Sequence, residues 1–115
     1  MKIKAIGLVM AVGMIIPTTT MASEFWKSGT ITRILVDAKN YGKCMVSLNV
    51  SLGNSCPSTW VSLDCEAKYS DKGDGDRMLN IALIAQNMNK KISIKVNNSK
   101  KHGSYCVASR LDILK

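Results

Sequence analysis

The chain has 115 residues, sixteen basic against eight acidic side chains, four cysteines and a formal net charge of +8. Its one continuous apolar stretch, 5–16, is twelve residues long, too short to cross a hydrocarbon core of about 30 Å, and no second such run follows. A retained membrane-spanning helix is therefore the weaker reading, and one small domain behind a leader is expected.

The leader is read from Lys2 and Lys4, the apolar stretch, and a small polar tail ending Thr20-Met21-Ala22. This is the pattern of a secretory signal peptide, with cleavage expected near Ala22 and a secreted or periplasmic product. Residues 23–115 then form a single domain with fourteen basic and eight acidic side chains. Such a balance suits an acidic partner as well as simple solubility.

The first strand is expected over 30–36, opened by Gly29 and rich in β-branched residues. A turn of Asp37-Ala38-Lys39-Asn40-Tyr41-Gly42 stops it. The second, 44–50, alternates, with Cys44, Val46, Leu48 and Val50 facing inward and Met45, Ser47 and Asn49 outward. A turn-rich connection leads to a third strand over 59–66, with Val61, Leu63 and Cys65 on one face.

The segment 70–76 superficially resembles a calcium loop, but the EF-hand spacing would put its bidentate glutamate at Ala82 and its glycine at Asp76, so the pattern fails. Asp74 or Asp76 is instead expected to cap a helix over 76–88. Met78, Ile81, Ala82, Ala85 and Met88 share the face assigned to the core. Leu79 and Leu83 make a second stripe, with Ile84 beside it, so the helix is apolar almost all round. Leu79, Leu83 and Ile84 are accordingly assigned to an interface between copies.

A fourth strand follows over 91–96, then a basic turn over 97–103 holding His102, the only histidine. The fifth strand, 104–114, has Val107, Leu111 and Ile113 inward. Three strands, a helix and two strands is the order of a five-stranded Greek-key OB-fold barrel, mainly β with one helix.

Four cysteines in an exported domain predict two disulfides. Gaps of 12, 9 and 41 residues, with no Cys-x-x-Cys pair, do not match a zinc knuckle. A hairpin centred between Asn54 and Ser55 pairs residues whose numbers sum to about 109, which sets Cys44 opposite Cys65. In the barrel the third and fifth strands lie side by side and parallel, which brings Cys56 near Cys106. The expected bonds are Cys44 with Cys65 and Cys56 with Cys106.

Candidate chemistry is sparse. His102, between Lys101 and Gly103 in a turn, reads as a solvated side chain and a poor base. No phosphate loop, dinucleotide fingerprint or zinc motif occurs, so a non-enzymatic binder without cofactor is expected. A single-stranded nucleic-acid role would need stacking aromatics in a basic groove. Residues 23–115 hold only six aromatics, and export also disfavours that role.

The stretch 78–96, a helix running without a gap into a basic strand, resembles the same element in B subunits of subtilase cytotoxin and pertussis-like toxins. The Val36-Asp37 turn followed by Tyr41 and Cys44 is similar to that family's first hairpin. The resemblance implies an exported OB-fold subunit forming a ring of five, binding a cell-surface glycan or protein receptor, and partnered by a catalytic A-type chain. That family's sugar pocket uses a serine before the first cysteine; here the turn is Asp37-Ala38-Lys39-Asn40-Tyr41. In this setting Asp37, Lys39, Asn40 and Tyr41 would line the site, with Lys39 and Asn40 on a carboxylate or hydroxyl and Tyr41 stacked on a sugar ring. The alternative is a secreted or periplasmic OB module that binds a protein, for instance as an enzyme inhibitor.

Overall fold

The computed structural model describes residues 23–115; the expected leader 1–22 and its cleavage point lie outside the described residues. The elements are β1 Glu24–Val36, a short 3-10 turn Tyr41–Lys43, β2 Cys44–Leu48, β3 Trp60–Ser62, α1 Asp74–Asn87, β4 Lys91–His102 and β5 Tyr105–Ile113. The sheet closes in the order β1-β2-β3-β5-β4, the five-stranded OB barrel expected from the element order.

Closure depends on β1, which serves two neighbours. Its first half pairs antiparallel with β4, from Glu24↔Asn97 to Thr30↔Lys91. Its second half pairs with β2, from Ile31↔Leu48 to Val36↔Cys44, after an irregularity between Ile31 and Arg33. Such an irregularity bends a strand and increases its twist, and here it carries β1 from one half of the barrel to the other. The β3 and β5 strands run parallel and meet at the single pair Ser62↔Val107.

Alternation fills the interior. Val46 and Leu48 of β2, Val61 of β3 with Leu63 just beyond it, and Ile92, Ile94 and Val96 of β4 are fully buried or nearly so. The helix seals the barrel with small residues, Ala82 and Ala85, while Met78, Leu79 and Ile81 pack at their margin. Gly75 in its first turn is pressed against backbone: an added Cβ would lie 2.6 Å from the Leu63 carbonyl oxygen and 2.6 Å from the Cys65 nitrogen.

Both expected disulfides are present, each with Cα atoms 5.6 Å apart. They belong to an oxidising compartment, extracellular or periplasmic. The register that suggested the first is corrected, however. The β2–β3 partners are Met45↔Ser62, Val46↔Val61 and Ser47↔Trp60, two residues away from the expected alignment. Cys44 accepts a hydrogen bond from the Leu63 amide. Cys65 lies beyond β3, after Asp64 turns the chain at φ 58°, and that turn brings its sulfur back to Cys44.

Several further expectations are revised. β1 begins at Glu24 instead of 30, because the long pairing with β4 recruits a polar N-terminal half. β3 is three residues where eight were expected, because the chain turns away at Asp64. β4 runs on to His102, so the anticipated 97–103 turn is mostly strand, with a three-residue bulge between Asn97 and Lys101. Ile113, expected inward, sits exposed at the end of β5.

The helix also departs from its reading. It starts at Asp74, and its N-cap is Gly73, in the left-handed region with no side-chain cap bond. Asp74 instead accepts bonds from the Asp71 amide and the Arg77 guanidinium. Asp74 and Asp76 thus complement the helix dipole without capping it. Met88, assigned to the core, falls after the last helical turn and is 58% exposed. Of the residues assigned to an interface, Leu79 packs against the core, whereas Leu83 and Ile84 are 47% and 48% exposed.

Candidate functional site

The β1–β2 loop is tightly built. Asp37 Oδ1 accepts hydrogen bonds from the amides of Lys39 and Asn40, both at 2.8 Å. The Asn40 bond, followed by the Lys39 bond, holds the Asp37 carboxyl below its ordinary range. Asp37 therefore shapes the loop and lines neither adjoining hollow. Its amide donates to the Lys43 carbonyl, and the Lys43 amide donates to the Asn40 carbonyl, which closes the loop on itself.

Tyr41, Gly42 and Lys43 all take positive φ, 62°, 72° and 77°, a costly run for residues other than glycine. Tertiary contacts hold it. The Ser62 hydroxyl donates to the Tyr41 carbonyl at 2.7 Å, and the Glu66 amide donates to the Gly42 carbonyl at 2.9 Å. At Gly42 a Cβ would stand 2.5 Å from Ser62 Oγ and 2.6 Å from His102 Cδ2, so only glycine fits both the angle and the space.

This strained segment presents the Tyr41 ring. It is 40% exposed and meets Tyr105 edge to face, with ring centroids 5.7 Å apart. The two rings form a ridge between two hollows. One, about 170 Å³, is floored by Met45 and walled by Leu35 and Trp60. The other, about 500 Å³ and more polar, adjoins Asn40, His102, Gly103 and Ser104. Arg33 stacks over Trp60 at 5.3 Å. Met45 and Ser47, expected to face outward, are buried: Met45 lies in the hollow with Leu35, Tyr41, Trp60 and Tyr105, and the Ser47 hydroxyl is hydrogen-bonded to the Thr59 hydroxyl.

Beneath the ridge is a buried polar knot. Asp64 and His102 are both buried, with His102 Nε2 2.6 Å from Asp64 Oδ1. The same carboxylate accepts from the amides of Lys68 and Tyr69 and from the Ser70 hydroxyl. Burial by itself would raise the Asp64 pKa, but the Tyr69, His102, Lys68 and Ser70 hydrogen bonds together hold it below 3.8. The Tyr69 ring packs edge to face on His102, and its hydroxyl donates to the Lys101 carbonyl. The expected solvated histidine is thus a buried structural one, because β4 continues through the segment read as a turn.

Of the four anticipated site residues, Asn40 and Tyr41 border the hollows, while Asp37 and Lys39 do not. Sequence reasoning missed Trp60, Tyr105 and Met45. Met45 was already assigned to the outer face of β2, and the parallel placement of the third and fifth strands would have brought Trp60 and Tyr105 to the same side. Among the described residues no group of three or more His, Cys, Asp or Glu is arranged to hold a metal ion. No protein-family model, curated protein or solved structure matches the chain.

Proposed function

We propose that this domain is a secreted or periplasmic, non-enzymatic binding subunit that recognises a host cell-surface glycan at the Tyr41–Tyr105 ridge. It would act as the toxin B subunits it resembles do, as a homo-oligomer accompanying a separate catalytic chain. The observation that carries this reading is the Tyr41 ring. A run of three left-handed residues, anchored from Ser62 and Glu66, holds an exposed aromatic ring between an apolar hollow and a polar one. A pyranose has the same division, an apolar C–H face and a polar rim, and a pre-organised aromatic binds such a ring at low entropic cost.

Asn40 and Ser104 supply uncharged polar groups at the rim, and Lys39 lies one residue away for a carboxylate-bearing sugar. The exposed Leu83 and Ile84 stripe supports association between copies. The oxidised protein is expected to select a defined set of sugars on a glycan array. Tyr41→Ala should weaken that binding at least tenfold, about 1.4 kcal/mol, with the melting curve little changed. An array without a hit, joined to a monomeric mass by light scattering, overturns the proposal.

A further inference from the structure

Away from the ridge, a concavity of about 410 Å³ is lined by six consecutive residues of β5, 107–112. Neighbouring side chains on a strand point to opposite faces, so a hollow lying on one face would touch alternate residues. Contact with six in a row means that it runs along the strand's edge. The opposite wall is helical: Asp74, Arg77 and Met78, spaced i, i+3 and i+4, come from one side of α1.

That edge is open because β3 ends early. β3 and β5 pair only at Ser62↔Val107, after which the chain turns away at Asp64. The other edge of β5 is paired with β4 along its length, from His102↔Tyr105 to Ile92↔Ile113. Among the described residues, the lane beside 108–112 therefore has no strand in it. Six residues of extended chain span about 20 Å, and a lane between a strand edge and a helix is the geometry used by domains that bind peptides through strand addition.

We infer that this groove takes an extended acidic peptide of a partner protein as a sixth strand beside β5. The charge follows from the groove's own pairs. Arg77 is bonded to Asp74 and Arg110 to Asp112, whereas Lys100 lines the groove with no carboxylate at ion-pair distance among the described residues. Lys100 lies in the β4 bulge between Asn97 and Lys101, and Asn97 pairs with Val107, so it stands at the end of the groove where residue 107 begins. A peptide carboxylate there would pair with Lys100, the groove cation without an ion-pair partner among the described residues, while Met78 and Leu111 receive an apolar side chain. A second copy of this chain is the rival occupant.

The test uses the intact, oxidised protein and a phage-displayed library of random linear heptapeptides. Acidic sequences should be enriched, and a synthetic copy should bind at least tenfold more weakly when alternate backbone amides are N-methylated. Lys100→Glu, on an exposed bulge, should cost at least tenfold with the fold intact by circular dichroism. Bound peptide should slow amide exchange within residues 108–112. No enriched sequence, binding indifferent to N-methylation, or protection elsewhere overturns the proposal. Protection of 108–112 that rises with protein concentration in the absence of peptide also overturns it, assigning the edge to self-association.

Discussion

At the scale of single residues, Gly42 and Asp64 hold the ridge in place. Gly42→Ala combines a left-handed backbone with a Cβ driven toward Ser62 and His102, and it is expected to destabilise the domain by about 2–3 kcal/mol in urea unfolding. Each carboxylate oxygen of Asp64 accepts two hydrogen bonds: Oδ1 from the Lys68 amide and His102 Nε2, Oδ2 from the Tyr69 amide and the Ser70 hydroxyl. Asparagine would turn an NH2 toward one of those pairs whichever way it faced. Asp64→Asn should therefore cost about 2–4 kcal/mol at neutral pH. The acid dependence follows from the depressed Asp64 pKa. Its stabilisation is complete above the ordinary carboxylate value and is lost as pH falls through the lower folded value, below 3.8. Melting temperatures followed from pH 7 to pH 2 should show wild type and Asp64→Asn drawing together at the acid end. A constant gap between them would show that Asp64 does not act through its charge.

At the scale of elements, the seat of the helix is set by its smallest residues. Ala in place of Gly improves helix propensity by about 1 kcal/mol, yet Gly75→Ala would press a methyl group into the backbone of Leu63, Asp64 and Cys65. Because those atoms are main chain and pinned by the Cys44–Cys65 bond, the helix itself has to lift. A net loss of about 1–3 kcal/mol is expected, measurable as a lower urea midpoint with an unchanged slope. A stabilised Gly75→Ala protein would mean that the helix has more freedom at its start than the close packing implies. The same end of the helix forms one wall of the β5 groove, so a lifted helix should also alter the groove's width.

Across the molecule, two covalent links tie together parts that are distant in sequence. Cys44–Cys65 spans 21 residues and Cys56–Cys106 spans 50. In the chain-entropy picture these loops are worth about 3.4 and about 4.1 kcal/mol. A 93-residue domain has little core to spare, so either loss should be severe. Replacing both members by Ala is expected to lower stability more for the Cys56–Cys106 pair, read from urea unfolding of the two double variants. The reverse order would point to strain or to residual structure in the unfolded chain as the controlling factor.

The sequence by itself determined the element order, the inward faces of β2 and β4, the helix and the presence of two disulfides, because period-2 and period-3.6 patterns and even cysteine counts are local signals. The two pairings followed from the barrel topology and from a hairpin register that the structure shifts by two residues. Tyr41 was legible too, since it lies in an evident turn before a cysteine. Only the tertiary structure decided the rest. The left-handed run at 41–43 exists because Ser62 and Glu66, more than twenty residues away, hold it. His102 is buried because β4 continues past a polar stretch with no apolar alternation to announce it. Trp60 and Tyr105 meet Tyr41 only when the barrel closes β3 beside β5, and the open β5 edge arises from where β3 turns away. These are consequences of closure, and nothing in the neighbourhood of a single residue encodes them.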